Sequence, residues 1–220
     1  FSFNAAGQTQ RLTSGLASRV ERLARSRPIE GFPPVLAFQS TVDSTVRAEA
    51  VVDALLEHLA PGNHELVLFD VNRLAGAQAL LVRDPGPLTA RLLAMPARTF
   101  ALTVITNATI ETDRMKELRA EPGSSRQTSR ALELTWPRDV FSLAHVALPF
   151  PPDDPLYGFQ SERNKRHVQL GRVQMHGENG VLAIPDWVLT RQRSNPFHSY
   201  MMERIDGFVG SSVAQSPPAG

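Results

Sequence analysis

Apolar residues in the first half of the chain fall into short continuous runs that end at turn residues. Residues 35–39, 64–70 and 100–106 are three such runs. Runs of this length are typical of strands that are buried on both faces in a parallel sheet. Residues 47–60, between the first two runs, have helical spacing. The order strand, helix, strand predicts parallel neighbours joined by a right-handed crossover.

Helical periodicity marks three further segments. Leucine and valine recur at helical spacing over residues 8–26, which predicts an amphipathic helix with a solvated arginine-rich face. Residues 72–98 are predicted to be helical, with breaks at their prolines. Asn195 is a good N-cap and Pro196 suits the first helical position, so a final helix is predicted to begin there.

The second half of the chain is predicted to be less regular. Residues 140–150 are predicted to form a fourth strand with its exit loop, whereas the polar residues 107–130 are predicted to be a flexible insertion. Residues 211–220 are predicted to be a disordered tail. We therefore expect residues 1–210 to belong to one α/β domain, with a mainly parallel sheet and flanking helices.

Composition narrows the classes of function. The chain has 220 residues, and 23 Lys and Arg against 22 Asp and Glu leave a formal charge of +1, which gives no reason to expect nucleic acid or an anionic membrane as a partner. The absence of cysteine excludes disulfides, cysteine nucleophiles and thiolate metal sites. We expect no transmembrane segment, because no apolar run is long enough to cross a bilayer.

Three residues are candidates for chemistry because of their places relative to the predicted strands. Asp43 follows the first strand, Asp70 ends the second, and His145 lies in or just after the fourth. Functional groups of such sheets gather beyond the carboxyl ends of the strands. A carboxylate and a histidine there could form the orienting half of a Ser-His-acid triad. Each residue alone is equally compatible with an ordinary role, as a helix cap, a turn former or a structural histidine.

The segment around Asp43 resembles a known family. Residues 32–46 read Phe-Pro-Pro-Val-Leu-Ala-Phe-Gln-Ser-Thr-Val-Asp-Ser-Thr-Val. This is similar to the acid-bearing strand and loop of α/β-hydrolases of the carboxylesterase and lysophospholipase type. Those enzymes have a strand, a short polar stretch, then Asp, two residues and Val. The resemblance implies that Asp43 is the acid of a catalytic triad and that the fold is part of an α/β-hydrolase.

The resemblance continues further along the chain. Residues 141–150 and 152–158 look like the base-bearing segment of a bacterial branch of these hydrolases, which implies that His145 is the triad base. Residues 193–197, with the helix that follows, look like the end of that branch. Most of residues 5–209 are covered.

The family's nucleophile has no counterpart in this sequence. No Gly-x-Ser-x-Gly elbow is present. The resemblance therefore implies that the serine and the oxyanion hole lie upstream, in an N-terminal remainder of the same domain. The expected substrate is a small-molecule ester, and the chain alone is expected to be inactive. Leu148, Phe150, Leu156 and Tyr157 are candidates for an acyl pocket, although core packing explains them equally well.

Two alternatives stay open at the level of sequence. In simple family members the base follows the very next strand, near Asn72, where this chain has no histidine. An insertion carrying the third strand would account for that departure. Asp70, at the end of its own strand, is an alternative acid, and a non-catalytic binding module on a hydrolase-like scaffold is an alternative function. We expect no metal and no cofactor, because histidines at ligand spacing and a phosphate-binding glycine loop are both missing.

Overall fold

The structure, a computed structural model, describes residues 3–144, 150–158, 175–185 and 188–214. Its helices are α1 (Phe3–Ala24), α2 (Ala48–Ala54), α3 (Ala75–Gln78), α4 (Gly86–Ala94) and α5 (His198–Ala214), with a 3₁₀ turn at Leu56–His58. Its strands are β1 (Val35–Ser40), β2 (His64–Phe69), β3 (Ala101–Asn107), β4 (Arg114–Ala120), β5 (Gln127–Thr135), β6 (Met175–His176) and β7 (Leu189–Thr190).

Strands β1 to β5 form one sheet, and their order across the sheet is their order along the chain. The first three strands run parallel, whereas β4 and β5 continue the sheet as antiparallel neighbours. Helix α2 connects β1 to β2, and α3 and α4 connect β2 to β3, as parallel neighbours require. The predicted α/β class is confirmed, and so are the three predicted parallel strands.

Strand β2 lies at the centre of the core and is buried at all six positions. Its side chains alternate between the two faces of the sheet, as the geometry of a strand requires. Leu66 and Leu68 pack in a cluster with residues of α2 and α4. Val67 and Phe69 pack in a second cluster on the opposite face, which α5 covers. Burial on both faces explains why the last four residues of the strand, 66–69, are a continuous apolar run.

An aromatic group joins α5 to the sheet. The ring of Phe197 stacks on that of Phe69 with centroids 5.7 Å apart, and it meets the Trp136 ring edge-on at 5.1 Å. Tyr200 completes the group, edge-on to Phe69 at 6.1 Å. Just before the helix, Asn195 Oδ1 accepts a hydrogen bond from the Phe197 backbone N–H at 2.9 Å. The predicted start of a final helix at Asn195 is thereby confirmed to within three residues.

Two predictions for polar segments are wrong. Residues 107–130, predicted to be a flexible insertion, contain β4 and the beginning of β5, which pair as an antiparallel hairpin. Met115 and Ala120 of β4 are buried, and so is Glu117, whereas most residues of β5 are exposed. The predicted tail at residues 211–220 is helical as far as Ala214, and the rest of it lies outside the described residues.

A buried arginine holds the hairpin against the parallel part of the sheet. Arg98 is 2 % exposed, and its guanidinium donates hydrogen bonds to the carbonyl oxygens of Phe100, Leu92, Glu121 and Ser124 at 2.9 to 3.0 Å. Burial lowers the pKa of Arg98, and the charge of Glu121 partly opposes that shift. The carbonyls of three different segments are thereby satisfied by one side chain.

The fourth strand predicted at residues 140–150 is not formed by its described residues. Val140 makes a single bridge to His176. The Phe141 N–H donates to the His176 carbonyl at 2.9 Å, and the Phe141 carbonyl accepts from the Asn72 N–H at 2.8 Å. Leu143 and Ala144 are fully buried. The apolar pattern here reflects burial of an irregular connection. Residues 145–149, and with them His145, lie outside the described residues.

Helix α1 and strand β1 leave apolar surface uncovered. Leu12, Leu16 and Leu23 of α1 are 55–64 % exposed, and five of the six residues of β1 are only partly buried. Among the described residues, β1 pairs with β2 alone. The helix predicted over residues 8–26 is confirmed, but its leucines do not enter the core of the described part. None of the described helices is long and apolar enough to span a bilayer.

Candidate functional site

The carboxyl ends of the three parallel strands bring the predicted acids to one edge of the sheet. Ser40, Phe69 and Ile105 are in register across β1, β2 and β3. Asp43 stands three residues beyond β1, and Asp70 directly follows β2. This is the edge at which open α/β sheets place their ligands.

The Asp43 carboxylate is oriented by its own loop. Its Oδ1 atom accepts hydrogen bonds from the backbone N–H groups of Thr45 at 2.8 Å and Val46 at 3.1 Å. Aspartate forms such turns readily because its short side chain reaches the backbone two and three residues on. The residue is half-buried. These two bonds fix the orientation of the carboxylate.

Side chains from the end of the chain hold the same loop. Glu178 accepts a hydrogen bond from the Ser44 hydroxyl at Oε1, 2.9 Å away. Arg191 Nη2 lies 2.9 Å from Glu178 Oε2 and 3.2 Å from Thr45 Oγ1. Ser44 and Thr45 immediately follow Asp43, so the pair Glu178–Arg191 is bonded to both of the next residues.

The segment that leads to residue 145 is hydrogen-bonded to Glu178 and to Gln192. The Ser142 hydroxyl accepts a hydrogen bond from the Glu178 backbone N–H at 3.0 Å. Gln192 holds the same connection twice, donating to Ser142 O and accepting from Ala144 N, both at 2.7 Å. Ser44 and Ser142 therefore contact the same residue, Glu178. His145 follows Ala144 and lies outside the described residues, so its contact with Asp43 stays a prediction.

Asp70 is engaged differently. It is 6 % exposed, and its two carboxylate oxygens accept hydrogen bonds from Arg73 Nε and Nη2, from the Thr106 hydroxyl and from the Val71 N–H at 2.8 to 3.0 Å. Burial alone would lower the pKa of Arg73, but the hydrogen bonds and charges of Asp70 and Asp84 outweigh it and raise that pKa. Four donors thus occupy the two oxygens of a buried carboxylate, which is typical of an acid with a structural role.

A pocket of about 580 Å³ lies beside Asp43. Residues from the loop after β1, from around the start of α4 and from the turn at 178–181 line it. Val42, Leu88 and Val181 give it apolar surface, and the acidic residues Asp43 and Glu178 also line it. Pockets of this size accommodate small organic ligands, with a few polar groups fixing their orientation.

The residues predicted to form an acyl pocket lie elsewhere. The rings of Phe150 and Tyr157 stack on each other with centroids 4.3 Å apart, and Leu156 is 65 % exposed. None of these three is among the described residues that line the pocket beside Asp43. Leu148 lies outside the described residues. Within the described ranges, no group of three or more His, Asp and Glu side chains is placed to hold a metal ion.

Reasoning from sequence missed Glu178, Arg191 and Gln192. Their contacts span up to 146 positions along the chain, and the region around them has no periodicity that would have singled them out. Comparison with known proteins adds no assignment for any site residue. No protein-family model matches the chain, and the comparisons with curated proteins and with solved structures likewise return no match.

Proposed function

We propose that this chain is the C-terminal part of a serine hydrolase acting on carboxylic esters, with Asp43 as the triad acid and His145 as the base. The observation that carries the proposal is the setting of Asp43. Its carboxylate stands beyond the carboxyl end of a parallel strand, is held by two backbone N–H groups, and borders a pocket of about 580 Å³. A triad acid needs a fixed orientation, because it must hold the imidazole in one tautomer and one direction.

The contacts around Glu178 add support for a base near Asp43. Ser44 and Ser142 bond to the same residue, and Ala144 is fixed by Gln192 within the same group of side chains. Residue 145 is one peptide unit beyond Ala144, and successive Cα atoms are about 3.8 Å apart. The connection that bears His145 is thus anchored to the loop that bears Asp43. Asp70 is the weaker candidate for the acid, since Arg73 occupies both of its oxygens.

The nucleophile in this proposal comes from an upstream segment of the same polypeptide. Strand β1 has an unpaired side among the described residues, and the leucines of α1 are exposed. A helix that precedes a parallel strand ordinarily crosses over from another parallel strand of the same sheet. An upstream segment that extended the sheet beyond β1 would cover both surfaces. It would also bring a serine to the edge where Asp43 lies.

The reaction then follows from the roles of the three residues. The serine oxygen attacks the ester carbonyl carbon while His145 takes the hydroxyl proton, and Asp43 stabilises the resulting imidazolium. The tetrahedral intermediate expels the alcohol, to which His145 gives that proton, and an acyl-enzyme is left. Water attacks the acyl carbon with His145 again as base. The carboxylic acid leaves, and the serine recovers its proton.

The test uses the full-length natural polypeptide and 4-nitrophenyl acetate. We expect Asp43→Asn to lower kcat by about 10⁴-fold, because the imidazole then adopts the wrong tautomer, and His145→Gln to have an effect at least as large. Asp53→Asn is the matched control: its side chain is 56 % exposed, and it lies on α2 outside the pocket lining. Its kcat should equal that of the natural protein. Full activity of Asp43→Asn would reject the proposal and favour a non-catalytic binding module.

A further inference from the structure

Glu178 is a buried carboxylate in the wall of the pocket beside Asp43. Its side chain is 4 % exposed. Taking a carboxylate out of water is costly unless hydrogen bonds and a counter-charge compensate. Here the Ser44 hydroxyl, 2.9 Å from Oε1, and the Arg191 guanidinium, 2.9 Å from Oε2, provide that compensation. Both oxygens are therefore engaged by groups of the protein.

The partners of Glu178 hold the loop whose backbone orients Asp43. Thr45 is held from two sides: its backbone N–H donates to Asp43 Oδ1 at 2.8 Å, and Arg191 donates to its hydroxyl at 3.2 Å. Ser44, between Asp43 and Thr45, donates to Glu178 itself. A displacement of Glu178 would therefore move the N–H group that fixes the Asp43 carboxylate.

The backbone of Glu178 is itself fixed. Its N–H donates to Ser142 Oγ at 3.0 Å, and the preceding Gly177 donates to the Thr190 carbonyl at 3.0 Å. A Cβ atom at position 177 would stand only 2.9 Å from Ser142 Oγ, so a side chain there would displace the hydroxyl that accepts from Glu178. The backbone of Glu178 is thus held in place. A side chain can position another loop only if its own backbone is held in this way.

We infer that Glu178 is a positioning residue for Asp43, acting with Arg191 through Ser44 and Thr45. The inference rests on the proposed function, in which Asp43 is the triad acid. Glu178 does not touch the reacting atoms. Its effect is to keep the carboxylate in the one orientation in which it can hold the base, and small displacements of catalytic groups cost much in rate.

Glu65 provides a matched control for the effect of losing a buried carboxylate. It is 5 % exposed, and it accepts hydrogen bonds from Thr103, Arg119 and Arg204. It is the second residue of β2, so it lies toward the opposite end of the strand from the edge that bears Asp43. Glu65→Gln and Glu178→Gln make the same chemical change in two buried networks, of which only one contacts the Asp43 loop.

The experiment measures kcat and KM for 4-nitrophenyl acetate in the full-length natural polypeptide. A fluorophosphonate label, run to completion, counts the active serines, so that unfolded protein does not enter the result. We expect Glu178→Gln to lower kcat per active serine by about ten- to a hundredfold with KM within about twofold of the natural value. Glu65→Gln should leave kcat per active serine unchanged. An unchanged kcat in Glu178→Gln would overturn the inference.

Amide hydrogen exchange keeps this result distinct from failure of the proposed function. The Thr45 amide hydrogen should exchange faster in Glu178→Gln than in Glu65→Gln at equal overall stability, because its bond to Asp43 loses its support. If Asp43→Asn is fully active, the proposed function fails, whereas the exchange of Thr45 still reports whether Glu178 holds the loop. Equal exchange in the two variants would overturn the inference, whatever the outcome for Asp43.

Discussion

Arg73 holds Asp70 with two nitrogen atoms, Nε at 2.8 Å from Oδ2 and Nη2 at 2.9 Å from Oδ1. The same guanidinium reaches Asp84 with its third nitrogen at 2.6 Å. Both oxygens of Asp70 are thereby engaged in an ion pair, whereas Asp43 Oδ1 accepts two bonds from backbone N–H groups of its own loop. The two acids at this edge of the sheet therefore have different roles, Asp70 in stability and Asp43 in the proposed chemistry.

Asp70→Asn is expected to destabilise the protein much more than Asp43→Asn. Removing one partner of a buried ion pair costs about 3–5 kcal/mol, and the value here should fall at the low end because Arg73 keeps Asp84. At position 43 an asparagine oxygen still accepts the two backbone bonds, so the free energy of unfolding should fall by less than about 1 kcal/mol. Urea denaturation of both variants measures these values. Equal losses would contradict the separation of roles.

The parallel half of the fold could be predicted because burial on both faces leaves a mark in the sequence. β2 lies between two core clusters, so all six of its residues are buried. Its apolar run, residues 66–69, ends where the strand ends. β5 lies at the edge of the sheet, and its nine residues are mostly exposed. Gln127, Ser129 and Arg130 are as suitable for a loop as for an exposed edge strand. Its hairpin with β4 was therefore missed.

The candidate site was predictable only in its local part. Asp43 follows a strand, and its bonds to Thr45 and Val46 are contacts within four residues. Glu178 reaches Ser44 across 134 positions, and Arg98 reaches Ser124 only through the folded hairpin. Pairings of this kind depend on the three-dimensional arrangement of segments. Local patterns in a single sequence do not specify that arrangement.

Tyr200 is expected to make stability fall at alkaline pH. Burial, together with the charge of Glu117 and the hydrogen bond to its Oε2 at 2.9 Å, raises the pKa of the Tyr200 phenol above its ordinary value of about 10. The neutral form is thus favoured in the folded state. Below about pH 10 both states keep the proton and the contribution is complete. Above it the unfolded state loses the proton first, so the free energy of unfolding falls by up to about 1.4 kcal/mol per pH unit.

Phenylalanine variants isolate this effect, because Tyr157 and Tyr200 are the two tyrosines of the chain. In Tyr157→Phe the ultraviolet absorbance of tyrosinate reports Tyr200 alone, and it should rise only together with unfolding. In Tyr200→Phe the free energy of unfolding should depend less steeply on pH between about 10 and 11.5 than in the natural protein. Reversible ionisation of Tyr200 near pH 10 in folded protein would refute the prediction.

Leu16 tests whether an upstream segment covers α1. This leucine is 55 % exposed, so Leu16→Ala in the 220-residue chain should change the free energy of unfolding by no more than about 0.5 kcal/mol. In the full-length polypeptide, where the proposal places further strands beyond β1, the same substitution should cost about 2 kcal/mol or more, because it leaves a cavity in a covered surface. Leu92→Ala on α4 is the control: Leu92 is fully buried, so its loss should be large in both chains. A neutral Leu16→Ala in both would mean that α1 keeps its leucines in solvent, and the nucleophile would then have to reach Asp43 by a different route.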